Sequence, residues 1–386
     1  MPLKPFDPSD ADGTGRAAPQ DTAASGWEPE RAPERTRAGF DPGLADRDER
    51  GRAAAAESQS RTELSDSFGE RMGVELPPGF VQRLDAAPVR RARNRVWLHL
   101  LLLLLTFGMT TLVGTEHYAS FVVDFGATPL TVEGTGLVIR GLWYSITILV
   151  ILGAHELGHY FACRYYGIDA SLPYFIPAPF ILTGTLGAFI RIRQPIRTKR
   201  VLFDIGVAGP ISGFVLAVPA LFIGLMLSNV AQVPPDMRGW ELGEPLLFKL
   251  ASRMISGPIP DGYSVNLHPM AFAAWFGLLA TALNLFPIGQ LDGGHISYTV
   301  LGRRSTILSL VMIGAAVALT FVSLSWVFWT LMMVAMLFAF GARHPPTLDE
   351  AVPLDRTRVW LAAFALLMFV LCFTPAPIQP LDLIRH

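Results

Sequence analysis

Long apolar segments are the feature of this sequence that most restricts its fold. The first, VWLHLLLLLLTFGMTTLVG at residues 96–114, is long enough as a helix to cross about 30 Å of hydrocarbon. Further apolar segments follow, and the thin separation at Ser323 to Ser325 fits a tight helical hairpin between two of them. The sequence therefore predicts an α-helical polytopic membrane protein with six to seven transmembrane helices. The later segments lie at residues 141–166, 201–227, 270–286, 305–324, 325–341 and 359–373.

Composition narrows the classes of partner and of metal site. Charged residues make up 16% of the chain, against roughly 25% in an ordinary soluble domain. The 31 Lys and Arg residues are balanced by 32 Asp and Glu residues, so the chain lacks a basic surplus and we expect no nucleic-acid partner. The two cysteines, Cys163 and Cys372, both lie in apolar segments and cannot build a thiolate metal cluster. Any metal must therefore be held by His, Asp or Glu.

The ends of the chain differ in composition from the middle. Residues 1–85 are rich in Ala, Gly, Pro, Ser and charged residues without apolar periodicity, which predicts a disordered tail. The membrane domain is expected at residues 86–375, followed by a short tail at 376–386. The first residues resemble neither a signal peptide nor a transit peptide. A bacterial inner membrane is the expected location.

Arginine-rich loops predict the orientation, because short loops rich in Lys and Arg stay on the cytoplasmic side. Basic clusters at residues 90–95, 191–200 and 303–304 all fall on one side of the predicted spans. Acidic or mixed loops fall on the other side. The N-terminus is therefore predicted to be cytoplasmic.

The second span carries chemistry that apolar surroundings make costly. It contains His155-Glu156-Leu157-Gly158-His159, an HExxH motif. Residues four apart share one face of a helix, so His155 and His159 can offer two nitrogens to one zinc ion. Glu156 beside them can take a proton from a water molecule at the metal. If no metal binds, the histidines instead serve as polar contacts between helices.

A third protein ligand is available far downstream, in NLFPIGQLDGGH at the end of the fourth span. Pro287 ends the helix after Asn284, and Gly289 with Gly293-Gly294 permits irregular backbone that presents Asp292 near membrane depth. An isolated Leu-Asp-Gly-Gly sequence is otherwise typical of a helix terminus. His295 is expected to be a polar residue at a helix end or a hydrogen-bond donor to a ligand.

Together the two motifs resemble those of the site-2 protease family of intramembrane zinc metalloproteases. That family pairs HExxH on one span with Asn-x-x-Pro and a following Leu-Asp-Gly on another, and the resemblance covers about residues 97–301, with a catalytic core at about 138–301. Neither a peptide-binding module nor nucleotide-binding repeats fit the short segments available. The resemblance implies one zinc ion per chain, held by His155, His159 and Asp292, with Glu156 as general base and Asn284 contacting the substrate backbone or the oxyanion.

The segment between the second and third spans is rich in proline and glycine, which forbids a long helix. Alternation at residues 189–193 predicts a strand, and residues 184–188 predict a close-packed turn. The resemblance implies a small membrane-associated sheet here whose edge pairs with an unwound substrate. Gly209 and Pro210 in the third span are expected to be scaffold residues that allow close helix packing. The residues expected to bind substrate are Gly184, Thr185, Leu186 and Gly187.

The leading hypothesis is an intramembrane zinc endopeptidase that cleaves single-span or signal-remnant membrane proteins near the cytoplasmic side of the lipid bilayer. One alternative is a membrane transporter or ion-binding protein that uses the same ionisable cluster as a proton or metal pathway. A second alternative keeps the protease but replaces Asp292 as third ligand by Glu241, Glu244 or Glu350.

Overall fold

The computed structural model describes residues 95–380, except 127, 131, 133, 180–181, 235–239, 341–346, 348 and 350–351. The predicted tail at residues 1–85 and the last six residues of the chain lie outside the described residues. The predicted C-terminal tail begins inside them, because residues 378–380 form a strand. The predicted domain boundaries otherwise stay predictions.

Helices account for most of the described residues. A basic, proline-rich or glycine-containing segment usually precedes the first residue of a helix. The helices therefore begin close to where the apolar segments of the sequence begin. The helices are α1 (Val96–Val123), α2 (Thr135–Tyr165), α3 (Lys199–Met226), α4 (Leu246–Ser256), α5 (Pro269–Asn284), α6 (Asp292–Leu301), α7 (Ser305–Leu319), α8 (Ser325–Phe340) and α9 (Arg356–Cys372).

Four segments of the described chain are helical, long and apolar enough to cross a membrane. The predicted count of six to seven spans is not confirmed. Helices α5 and α9 have 16 and 17 residues, and at 1.5 Å per residue they are about 24–26 Å long, short of the hydrocarbon thickness. The four candidate spans are Val96–Gly126, Thr135–Tyr165, Lys199–Met226 and Asp292–Leu319.

Glycines let α2 pack closely against the helices on either side of it. A Cβ atom at Gly114 of α1 would collide with the backbone carbonyl of Gly141, and one at Gly158 would collide with Ala208 of α3. Backbones that approach this closely gain dispersion contacts without a large side chain between them. Helix α2 is therefore held on two faces, which fixes the side chains that it carries.

Among the described residues, six short strands form three two-stranded antiparallel sheets. The pair β1–β2 lies between α2 and α3, as the sequence predicts, but the position of its turn was wrong. Residues 185–188, predicted as a turn, belong to β2, and the turn precedes Gly184, whose φ of +71° suits glycine. The strands are β1 (Tyr174–Pro177), β2 (Thr185–Phe189), β3 (Asn229–Gln232), β4 (Trp240–Leu242), β5 (Tyr263–Asn266) and β6 (Ile378–Pro380), with β3 paired to β5 and β4 to β6.

Both ends of the β1–β2 hairpin are tied to neighbouring helices. The Tyr144 hydroxyl of α2 donates a hydrogen bond of 2.9 Å to the Thr183 carbonyl near the turn. At the open end, Nδ1 of His99 in α1 lies 3.2 Å from the Pro173 carbonyl, and its ring stacks on Tyr174. The hairpin is thus held against α1 and against α2, the helix that carries the HExxH motif.

Candidate metal centre

Helix α2 places the two motif histidines one turn apart on a buried face. Their side chains are directed toward Asp292, the first residue of α6. The Asp292 Oδ2 atom lies 3.1 Å from Nε2 of His155 and 3.2 Å from Nε2 of His159, and the two Nε2 atoms are 3.2 Å apart. Two potential ligand atoms from one helix therefore meet a third from Asp292, more than 130 residues further along the chain.

The separations of these atoms fit a tetrahedral zinc site. Zinc bonds of about 2.0–2.1 Å at tetrahedral angles place neighbouring ligand atoms about 3.3 Å apart. Nδ1 of His159 lies 2.7 Å from the Ile205 carbonyl, and because a carbonyl only accepts, this nitrogen carries the proton. Nε2 of the neutral ring then presents a lone pair to the carboxylate oxygen, and a cation between them satisfies both atoms. Within the described residues, this group is the one that can hold a metal ion.

Helix α3 gives the imidazole rings their space. A Cβ atom at Gly209 would overlap the His159 ring, and one at Gly213 would lie 3.2 Å from the Cβ atom of His155. The next residue, Pro210, has no N–H, so the Gly206 carbonyl lacks its usual helical partner. Gly209, one of the two scaffold residues expected from the sequence, thus faces a candidate ligand directly.

We expect Gly209→Ala to weaken zinc binding by about tenfold or more, because the added methyl group must push the His159 ring away from the other ligand atoms. Zinc per chain in detergent-purified protein, at a fixed free zinc concentration, measures the effect. Gly108→Ala is the matched control, since a Cβ atom at Gly108 meets nothing within 4 Å. Equal zinc occupancy in the two variants would contradict the close packing of α3 on His159.

The glycines around Asp292 are required by backbone contacts. A Cβ atom at Gly293 would collide with the Leu285 carbonyl, and one at Gly294 would collide with the Gly289 carbonyl. Gly289 itself has a φ of +54°. The irregular backbone expected after Asn284 therefore folds back on the start of α6 and holds Asp292 at the histidines.

Glu156 and Asn284 also reach this centre. The Glu156 side chain is buried, interacts electrostatically with His155, His159 and Asp292, and accepts a hydrogen bond from the backbone N–H of Ile190. At the end of α5, the Asn284 side-chain nitrogen lies 3.3 Å from Nε2 of His155. The Glu156 carboxylate and the Asn284 amide therefore lie beside the three potential ligand atoms but do not belong to the metal-binding group.

The residues expected to bind substrate occupy different positions in the hairpin. The backbone of Gly184 packs against α1. A Cβ atom at this position would lie only 3.0 Å from the Met109 carbonyl oxygen. Thr185 is buried and its hydroxyl bonds within the hairpin, to the Ile176 carbonyl at 2.9 Å and to the Gly187 N–H at 3.0 Å. Leu186 is 57% exposed. The two inward contacts of Gly184 and Thr185 shape the hairpin, whereas Leu186 is available to a partner.

Other residues singled out in the sequence do not belong to the group of potential ligands. His295 packs against Gly206 of α3. Glu241 and Glu244 line a cavity of about 870 Å³ together with Trp275, and they are not in the metal-binding group. Glu350 lies outside the described residues. Two backbone groups that contact the centre, the Ile190 N–H and the Ile205 carbonyl, have no signature in the sequence because every residue carries such groups.

Comparison with known proteins gives a match to a peptidase family and to proteins named as zinc metalloproteases. Residues 143–326 match Peptidase family M50. The chain is 29% identical over 260 residues to "Probable zinc metalloprotease EGY2, chloroplastic" of Oryza sativa subsp. indica, covering 64% of this chain and 45% of that protein. It is 30% identical over 327 residues to "Probable zinc metalloprotease EGY1, chloroplastic" of Arabidopsis thaliana, covering 79% of this chain and 58% of that protein. The chain thus spans about half the length of these curated relatives. No solved structure matches it.

Proposed function

The chain belongs to the site-2 protease family, peptidase family M50, as its paired motifs predict, and from this premise we propose that it is an intramembrane zinc endopeptidase. The observation that carries the proposal is the convergence of His155, His159 and Asp292 within hydrogen-bonding distance of one another. A buried carboxylate, Glu156, stands beside them. This arrangement supplies both the ligands and the base that metal-assisted peptide hydrolysis requires.

The side chains around the centre divide the reaction between them. His155, His159 and Asp292 would hold the zinc ion, which would supply Lewis acidity for activating water and polarising the substrate carbonyl. Glu156 accepts the proton of the attacking water and delivers it to the amide nitrogen as the peptide C–N bond breaks. The Ile190 N–H fixes the orientation of the Glu156 carboxylate. The Asn284 amide is placed to donate a hydrogen bond to the negative oxygen that develops on the substrate carbonyl.

The β1–β2 hairpin is the proposed docking edge for the substrate. A helical substrate hides its carbonyls, so hydrolysis needs an unwound segment, and strand addition to a sheet edge holds such a segment open. In the described part of the chain, β2 pairs with β1 on one edge and with no strand on the other. Ile190, directly after β2, contacts Glu156. A strand added to β2 would therefore approach the general base, and the exposed side chain of Leu186 would be available for contact.

We place the cut near the side that carries the basic loop. His159 lies six residues before the end of α2 at Tyr165, which is about 9 Å along the helix axis. The basic residues between the hairpin and α3 follow that end. Fusions of a topology reporter to the loops before α3 and before α5 test this orientation.

The matched relatives are named as chloroplastic, so the comparisons give no support to a bacterial inner membrane. Single-span or signal-remnant membrane proteins remain the proposed substrates.

The experiment that tests the proposal combines metal analysis with cleavage. We expect about one zinc ion per chain in detergent-purified wild type and cleavage of single-span reporter substrates reconstituted in the same detergent. A zinc chelator should stop cleavage, and added zinc should restore it. Metal-free wild type, or zinc flux without any cleavage, would contradict the protease and favour the transporter alternative.

Asn284→Ala is expected to lower kcat by about 10²- to 10³-fold, the cost of removing one oxyanion donor, while zinc content stays within twofold of wild type. Initial rates of reporter cleavage at saturating substrate measure the change. Asn229→Ala removes the same amide from an exposed position in β3, where it donates a hydrogen bond to Asp124, and serves as the control. An unchanged kcat would remove Asn284 from the reacting site.

A further inference from the structure

A polar network joins the ends of three helices next to the metal centre. The Tyr166 hydroxyl, at the C-terminal end of α2, donates a hydrogen bond to the Asp204 carboxylate of α3. Arg358 of α9 binds the same carboxylate through two nitrogens, Nε to Oδ1 at 2.8 Å and Nη2 to Oδ2 at 2.5 Å. Asp355, which caps the start of α9, accepts a further hydrogen bond from the Arg358 guanidinium. One arginine thus links α9 to α3, and Asp204 links both to α2.

This network is adjacent to the group that orients His159. Asp204 directly precedes Ile205, whose carbonyl accepts the hydrogen bond from Nδ1 of His159. That bond sets the tautomer of the ring and its rotation, so it decides where Nε2 points. A shift of the backbone at Asp204 therefore moves the acceptor on which the geometry of His159 depends.

Helix α3 lacks a helical hydrogen bond in the same region, so a restraint from the network matters there. Pro210 cannot donate to the Gly206 carbonyl, and Gly209 carries no side chain to pack. The turn that follows Ile205 therefore lacks one helical hydrogen bond. A paired, charge-assisted contact to Asp204 is the kind of restraint that can compensate for it.

The network is suited to act as a fixed restraint. Asp204 and Arg358 each have only 20% of their side chain exposed, which limits screening by solvent and salt. The hydrogen bond to Asp204 raises the pKa of the Tyr166 hydroxyl above its ordinary value, so the hydroxyl remains a donor. Two parallel bonds from a guanidinium also fix direction, which a lysine cannot do.

We propose that Arg358 is a positioning residue for the metal centre, holding the Ile205 carbonyl against His159 by way of Asp204. Arg358 lies outside residues 143–326, the part of the chain that matches the peptidase family. The inference rests on the proposed function in one respect, that the His155, His159 and Asp292 centre binds zinc. It assigns to α9 a role in metal binding beyond helix packing.

The test measures zinc affinity by competition with a chelator of known affinity, using the full chain in detergent. Arg358→Gln is expected to weaken zinc binding by about tenfold, the lower end of the effect of groups that orient a ligand. Arg358→Lys keeps the charge but loses the paired geometry. The logarithm of its zinc dissociation constant should therefore lie closer to that of Arg358→Gln than to that of wild type. Arg356→Gln, an exposed arginine in the same helical turn, should bind zinc as wild type does.

A second measurement separates positioning from simple stabilisation. If Arg358 only pins α9 to α3, its loss lowers the thermal unfolding midpoint of the metal-free protein and leaves the zinc dissociation constant unchanged, which overturns the proposal. If it positions His159, the increase in midpoint on adding zinc also shrinks, because that increase follows zinc affinity.

Tyr166→Phe keeps the proposal testable if Arg358→Gln fails to fold. It removes one hydrogen bond to Asp204 and changes no charge, and we expect zinc binding weaker by about twofold to fivefold. Unchanged affinity in a folded Tyr166→Phe protein overturns the proposal. Wild type that binds no zinc overturns the proposed function and this inference with it, whereas zinc-binding wild type with unaffected variants overturns this inference alone.

Discussion

Replacing Glu156 by glutamine is expected to lower reporter cleavage by about 10³-fold or more and to leave zinc in place. The amide has the shape of the carboxylate but cannot accept the proton of the attacking water, and general-base catalysis contributes about 10²- to 10⁴-fold. Its oxygen can still accept the hydrogen bond from the Ile190 N–H, so we expect little rearrangement. Initial cleavage rates and zinc per chain, measured on the same preparation, give both quantities.

The control for this substitution is Glu116→Gln, which makes the same chemical change at an exposed position of α1. It should cleave the reporter at the wild-type rate. Cleavage by Glu156→Gln within tenfold of wild type would remove Glu156 from the role of base. Loss of zinc from Glu156→Gln would instead indicate that the carboxylate contributes to metal binding.

The helical part of the fold is predictable because lipid imposes a length on apolar segments. The start of α1 at Val96 and the extent of α3 follow this rule closely. Prediction is weaker where helices continue beyond the apolar run, as in α1, which extends to Val123 through Glu116 and His117. His117 is tolerated because its ring packs against Tyr144 and Phe272, a contact between distant segments.

The hairpin shows why local patterns misplaced a turn. Glycine at positions 184 and 187 suggested a turn at residues 184–188, since both residues favour unusual backbone angles. The structure uses Gly184 to finish the turn against α1 and Gly187 as an irregularity within β2, with a φ of +105°. Which of the two glycines ends the turn depends on the approach of α1, and this contact is invisible from local sequence.

The metal centre was predictable in unequal parts. The spacing of His155 and His159 alone places both on one face of a helix. The meeting of Asp292 with them depends on the packing of α6 against α2 and α3, so the sequence indicated it only through the resemblance to a family. The network of Asp204 and Arg358 falls beyond both kinds of signal, because an Asp and an Arg separated by 154 residues match no motif.

Asp292→Asn is expected to weaken zinc binding by more than about 100-fold, a larger loss than that from a residue that only orients a ligand. The amide oxygen is neutral and a far poorer zinc ligand than a carboxylate. The two remaining ligand atoms, on His155 and His159, are nitrogens without a negative charge, so the buried cation loses its charged ligand, which is costly in apolar surroundings. Cleavage should fall to background at zinc concentrations that saturate wild type. Chelator competition measures the affinity.

The outcome for Asp292→Asn also decides between the two versions of the protease. Asp261→Asn removes an exposed carboxylate elsewhere in the chain and should leave zinc affinity unchanged. Full zinc occupancy in Asp292→Asn would mean that another acid completes the site, and substitution of Glu241, Glu244 and Glu350 in turn would identify it. Glu241 and Glu244 line a separate cavity with Trp275, so their participation would require rearrangement of the described structure. Because Oδ2 of Asp292 lies within 3.2 Å of both histidine nitrogens, we expect the loss of this one carboxylate to empty the centre.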